Sequence, residues 1–328
     1  MSAPEATGSS DAAADSRRTV TILVPVFNEQ DVLDQFYGVL DGVLAGLPAY
    51  AFEILFVDDG SDDATADRIV ALAGADPRIS LIRLSRNFGK ESAMLAGLDA
   101  VTTDAVILID VDLQDPPGLI AEMLAAWEEG YDDVYARRRS RAGETMLKRT
   151  TSRWYYRLLQ RTTRIKIQSD TGDFRLLDRR CIDALISLRE GERYTKGLYS
   201  WVGFRKKEIL FDRAPRAGGR SKWDYPGLAN LAIDGITSFT TAPLRISTFL
   251  GLLVSLAAFI YLVVIIVRTL LFGIDLAGYP STLAVILFLG GVQLISLGII
   301  GEYIGRIFTE TKRRPVYIVQ EHRRGRAG

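Results

Sequence analysis

Short apolar runs alternate with amphipathic stretches along the first 136 residues. The runs TVTILVPV (19–26), FEILFVD (52–58), ISLIRL (79–84), AVILID (105–110) and DDVYA (132–136) are rich in Val and Ile and predict strands. Between them, DVLDQFYGVLDGVL and ESAMLAGLDAV repeat their apolar residues at helical spacing. Strands separated by helices imply right-handed crossovers and an α/β fold, a mostly parallel sheet covered on both faces. Such sheets bind ligands beyond the carboxyl ends of their strands. Three of the runs end in polar clusters, PVFNE, VDDGSDD and DVDLQD, which are expected to meet at one rim.

The pattern then changes. From Arg137 to Lys166 eleven lysines and arginines face one acid, Glu144, with Trp154, Tyr155 and Tyr156 interleaved. This reads as a basic helical segment suited to anionic headgroups or a lipid phosphate, with a solvated helix face or an RNA-binding patch as the alternatives. Residues 167–222 read as short strands and loops, and 223–245 as an amphipathic approach to a membrane, with Trp223 and Tyr225 at the interface. Ile246–Val267 and Leu276–Gly301 carry no charge, and each is long enough as a helix to cross a bilayer. The stretch between them has one Arg, whereas Arg306, Lys312, Arg313, Arg314, Arg323, Arg324 and Arg326 follow the second. Lys/Arg asymmetry predicts a multi-pass protein with both termini and the α/β domain cytoplasmic. The expected organisation is a disordered tail (1–18), an α/β catalytic domain (19–222), an interfacial segment (223–245), two transmembrane helices (246–267 and 281–303) and a basic tail (306–328).

Composition adds little. Forty basic and 40 acidic side chains cancel, so net charge identifies no partner. The lone Cys181 excludes an intrachain disulfide and fits a reducing compartment. The first 15 residues lack an apolar core, unlike a signal peptide. The sole histidine, His322, lies in the basic tail after the second apolar span, which argues against a histidine base.

The rim carries the chemistry. If residues 110–114 stay extended, Asp110, Asp112 and Gln114 fall on one side. Two carboxylates and an amide oxygen are hard ligands suited to Mg²⁺ or Mn²⁺, which complete their shells with water and phosphate. A solvated acidic turn is the alternative. Asp115, before Pro116, reads as a helix N-cap, and Ser61 or Asp62 as the cap of the helix that follows FEILFVD. Asp58 or Asp59, beside Gly60, is placed to accept hydrogen bonds from a ribose or base. Neither G-x-G-x-x-G nor G-x-x-x-x-G-K-[ST] follows any strand, which removes support for dinucleotide oxidoreduction and P-loop chemistry.

Together VPVFNE, VDDGSDDAT, RNFGKESAMLAGL, DVDLQD, SDTGDFRLLDR and RAGGRSKW resemble family-2 glycosyltransferases of the GT-A fold. The pattern is most similar to the polyprenyl-phosphate glycosyltransferases, including those that carry a C-terminal two-helix transmembrane hairpin. The resemblance implies inverting transfer of a hexose, UDP-glucose being the leading donor and GDP-mannose an alternative, to a polyprenyl phosphate at the cytoplasmic face. It implies nucleotide contacts from Pro25, Phe27 (in place of the usual Tyr), Glu29, Val57, Asp59 and Val111. It implies metal and diphosphate ligation by Asp110 and Asp112, with Gln114 a ligand in some relatives. Arg138, Arg216 and Lys222 match residues that reach phosphate, and Asp173 a proposed catalytic carboxylate. A homo-oligomer is implied, and no nucleic-acid partner. A processive polysaccharide synthase would normally add Q-x-x-R-W, which does not occur. A non-enzymatic membrane scaffold would leave the aligned acids without a use.

Chemistry agrees with the lack of a histidine base at the strand ends. A phosphate monoester has a second pKa near 6 and is about nine-tenths dianionic at pH 7. It is already a nucleophile, so the catalyst's task is to hold two anions close together.

Overall fold

The structure, a computed structural model, describes residues 17–139, 171–191, 193–212, 242–272 and 279–325. The expected interfacial segment up to residue 241, the basic stretch 140–166, Arg216 and Lys222 lie outside the described residues.

The alternating segments fold as expected. Strand β1 (Arg18–Val26) leads to α1 (Leu33–Ala45), β2 (Tyr50–Asp58), α2 (Thr65–Ala75), β3 (Ile79–Leu84), α3 (Lys90–Ala100) and β4 (Ala105–Leu108). Helix α4 (Ile120–Glu128), β5 (Asp133–Arg138), β6 (Thr171–Asp178), α5 (Arg179–Ser187), α6 (Thr195–Trp201) and β7 (Lys206–Phe211) follow. Two long helices, α7 (Ala242–Phe272) and α8 (Tyr279–Thr311), precede β8 (Val319–Arg323).

Among the described residues the sheet has eight strands in the order β7-β5-β6-β4-β1-β2-β3-β8. It is mostly parallel but mixed: β6 runs antiparallel to β4 and β5, and β8 antiparallel to β3. Both faces are covered, which explains why the strands read as continuous apolar runs. Ile22, Val24 and Ile107 face one core with Phe36 and Leu40 of α1 and Met123 of α4. Leu23, Val106 and Leu108 face the other with Met94 of α3, Ile182 of α5 and Tyr199 of α6.

Helices α7 and α8 are apolar on all sides, and Phe249, Leu270 and Phe272 are more than two-thirds exposed. The spans long and apolar enough to cross a membrane are Ser247–Phe272 and Phe288–Thr311, both shifted toward the C-terminus of the expected limits. The 31 residues of α7 measure about 46 Å, longer than a bilayer's hydrocarbon core.

After α8 the chain returns to the sheet, where β8 pairs with β3 and brings His322 opposite Ile82. The α/β domain and the tail therefore lie at the same end of the hairpin. The cap of α2 falls to neither Ser61 nor Asp62. Ser61 N–H donates to Asp58, and Asp63 accepts from the Thr65 N–H at 2.9 Å. Asp115 caps nothing: the short 3₁₀ turn Pro117–Leu119 has no side-chain cap, and Asp115 is 5% exposed.

Candidate active site

Strands β1 and β4 are neighbours, yet the chain leaves β1 for β2 and β3 on one side and places β4 on the other. This is the topological switch point at which open α/β sheets form a crevice. A cleft of about 260 Å³ opens there, lined by Pro25, Phe27, Glu29, Asp59, Asp110, Val111 and Asp112 together with Asn87, Gly89 and Lys90. Seven residues singled out in the sequence thus share one wall. A larger hollow of about 800 Å³, between Arg189–Gly191 and Thr309–Tyr317, contains none of the strand-end acids.

The turns around the cleft are stapled to one another. Asn28, in the left-handed region at φ 55°, donates its N–H to Ser61 Oγ and accepts from the Asp62 N–H. The Glu29 N–H donates to Thr65 Oγ1. Gly60 has φ +71°, and a Cβ there would sit 2.5 Å from the Arg86 carbonyl carbon, so only glycine fits. Asp59 is 3% exposed and accepts the Phe88 N–H at 2.8 Å and the Gly89 N–H at 2.9 Å. Burial pushes its carboxyl up, against the pull of those two bonds. The residue matched to a ribose contact therefore also anchors the turn that starts α3.

Past Leu108 the chain leaves the extended path. The Ile109 N–H still donates to Leu23 O, but Leu113 turns at φ 56° and the Gln114 N–H donates to Asp112 Oδ1. The expectation of an extended 110–114 is thereby corrected. Asp110 and Asp112 reach the cleft as neighbours in a turn, whereas Gln114, 7% exposed, is not on the cleft wall. Val57 is fully buried in the second core and also stays off the wall.

Strand β6 supplies Asp173. Lys90 Nζ lies 2.7 Å from Asp110 Oδ1 and 2.7 Å from Asp173 Oδ2. The second Asp173 oxygen is buried with no hydrogen-bond partner among the described residues. Burial alone would raise the Asp173 carboxyl, but Lys90 and then Lys196 outweigh it and hold the group at about 2. Desolvation opposes the charge on Lys90, and Asp110 and Asp173 overcome it, leaving the ammonium above its ordinary value. Asp115 behaves oppositely: burial first, then the Asp110 charge, push it to about 6, with Arg138 at the end of β5 opposing.

Lys90 had gone unassigned in the sequence. Its signal was a fourth strand-end polar break, SRNFGK, after ISLIRL. Among the described residues no group of three or more His, Cys, Asp or Glu side chains is arranged to hold a metal. Asp110 and Asp112 supply two hard oxygen donors, a number that suits an ion sharing its shell with substrate phosphates. Lys90 places a positive charge against one of them, so the pair is already built to face a cation.

A mostly parallel sheet with an acidic cleft at its switch point, joined to an apolar helical hairpin, has the architecture of GT-A-fold glycosyltransferases. Residues 21–186 match glycosyl transferase family 2, and residues 242–307 match the GtrB C-terminal hairpin. The chain belongs to glycosyl transferase family 2, and it is a glycosyltransferase. It is 48% identical over 302 residues to a glycosyltransferase of Synechocystis sp., covering 92% of this chain and 95% of that one. It is 46% identical to the SfII prophage-derived bactoprenol glucosyl transferase of Shigella flexneri, over 93% of this chain and 99% of that protein. It is 45% identical to the prophage bactoprenol glucosyl transferase homolog of Escherichia coli, over 92% and 98% respectively.

Proposed function

We propose that the protein transfers glucose from UDP-glucose to a polyprenyl phosphate at the cytoplasmic membrane face, with inversion at the sugar carbon. The observation that carries this reading is the 46% identity to a bactoprenol glucosyl transferase over 93% of the chain, hairpin included. The hairpin supports it physically, because it keeps the cleft at the surface where a lipid phosphate is presented.

Pro25, Phe27, Glu29, Asp59 and Val111 are assigned to the nucleotide, all on the cleft wall. Asp110 and Asp112 are assigned to a Mg²⁺ or Mn²⁺ ion and the diphosphate; such an ion, when bound, neutralises the leaving group. Asp173, on the far side of Lys90, is assigned to the acceptor side, where its carboxylate would steady the developing positive charge on the sugar. Arg138, with Arg216 and Lys222, is assigned to neutralising phosphate. The nucleophile brings its own charge, so none of these residues is asked to remove a proton from it.

The experiment is direct. Purified full-length protein in lipid nanodiscs is given polyprenyl phosphate and, separately, UDP-glucose, GDP-mannose and UDP-N-acetylglucosamine, and the lipid products are weighed by mass spectrometry. A polyprenyl phosphate heavier by one hexose, formed from UDP-glucose in preference to the others, is the expected result. Preference for GDP-mannose, or long polymer without a sugar-lipid, overturns the proposal.

A further inference from the structure

Asp110, Asp112, Asp115 and Asp173 crowd one rim, and Glu91 is hydrogen-bonded to Thr195 behind it. Carboxylates packed this closely repel one another. Lys90 meets two of them at once. Its position is built, not incidental. Asp59 fastens the Phe88 and Gly89 N–H groups, and Gly89, at φ +94°, turns the chain into α3. The first residue of that helix is Lys90. Its three ammonium donors allow one bond to each carboxylate with one to spare. Asp173 Oδ2 takes the lysine and Oδ1 has no partner among the described residues, so Lys90 fixes where that carboxylate stands.

We propose that Lys90 is a positioning residue that ties Asp110 on the donor side to Asp173 on the acceptor side, and that it is a built-in cation whose place at Asp110 a divalent ion takes over. This rests on the reading of Asp110 and Asp112 as ligands of that ion. Two consequences follow from charge and geometry. Ammonium and metal compete for Asp110, so removing the ammonium strengthens metal binding. Asp173 loses the one partner bonded to it among the described residues, so the chemical step slows while binding of the nucleotide sugar changes little.

The test uses the full-length protein in nanodiscs. Binding of Mn²⁺ alone is followed by its electron paramagnetic resonance signal, and kcat and KM are measured in the sugar-transfer assay. Lys90→Met is expected to bind Mn²⁺ about tenfold more tightly. Its kcat should fall by about a hundredfold, with the nucleotide-sugar KM within about threefold of the parent. Lys90→Arg, which keeps the charge, should return Mn²⁺ affinity to the parent value and recover part of kcat. Unchanged or weaker Mn²⁺ binding in Lys90→Met overturns the proposal, as does an unchanged kcat; a lysine that merely supports the fold does not tighten metal binding when removed. Asp110→Asn separates the two readings. Loss of Mn²⁺ binding in Asp110→Asn with no change in Lys90→Met sinks only the role of Lys90. Parent-like Mn²⁺ binding in Asp110→Asn sinks the metal-site reading itself.

Discussion

Replacing Asp59 with alanine takes two acceptors away from the backbone of the turn before α3. The carboxylate is 3% exposed, and its bonds to the Phe88 and Gly89 N–H groups are 2.8 and 2.9 Å long. A hydrogen bond to a charged group contributes about 1.5–3 kcal/mol. Taking about 2 kcal/mol for each, opening of the turn becomes roughly thirtyfold more favourable at each amide. Hydrogen exchange of the full-length protein in detergent, read on peptides covering residues 85–92, should therefore speed up by about that factor. Peptides covering β1 serve as the internal control, because Ile22, Leu23 and Val24 are fully buried in the sheet. Asp59→Asn retains one acceptor oxygen and should fall between the parent and the alanine variant. Sugar transfer should drop in both, since the same turn carries Lys90. Unchanged exchange at residues 88–89, or an equal rise in the β1 peptides, would refute the view that Asp59 anchors this turn.

Two further outcomes are expected. Gly60→Ala forces a Cβ to within 2.5 Å of the Arg86 carbonyl carbon at a φ of +71°, so the thermal unfolding temperature should fall by several degrees; an unchanged midpoint would contradict the geometry of that turn. Asp76 is buried, which alone raises its carboxyl, but hydrogen bonds from Arg78 and Tyr37 outweigh burial and hold it below the usual carboxylate range. A depressed folded-state value means stability that is full above the ordinary carboxylate pKa near 4 and is lost as pH falls below it. Asp76→Asn should thus be less stable than the parent by about 1–3 kcal/mol at pH 7, with the gap closing as the solution is acidified below pH 4, in denaturant titrations. A gap that stays constant with pH would argue against the ionic character of this contact.

Much of the fold was legible because the physics was local. Runs such as TILVPV and AVILI are buried on both faces, and their polar ends mark the rim, so β1 to β5 and the cleft acids Asp59, Asp110 and Asp112 could be read from pattern alone, whereas Pro25, Phe27, Glu29 and Val111 came from the family resemblance. What was not legible depended on partners remote in sequence or on backbone choices that side chains do not announce. VQEHR looks like a solvated basic tail because an edge strand needs polar residues on its open side; only its pairing with β3 makes it a strand. Leu113 gives no hint of a left-handed turn, and that turn separates Gln114 from Asp110 and Asp112. Asp115 resembles a cap in front of Pro116, yet tertiary packing buries it against the acids of the rim. Lys90 meets Asp110, 20 residues away, and Asp173, 83 residues away, and no window of the sequence holds all three.

On the proposed function, Asp110 and Asp112 would hold a divalent ion, which would offset the charge of the leaving diphosphate while a lipid phosphate that is already charged attacks the sugar. The most direct measurement is the rate of sugar-lipid formation from UDP-glucose and polyprenyl phosphate in nanodiscs, with and without excess chelator, for the parent and for Asp112→Ala. The account predicts product in the parent, its loss in chelator, recovery on adding back Mg²⁺ or Mn²⁺, and no such recovery in Asp112→Ala. Full-rate transfer in chelator, or parent-like transfer by a folded Asp112→Ala, would contradict it.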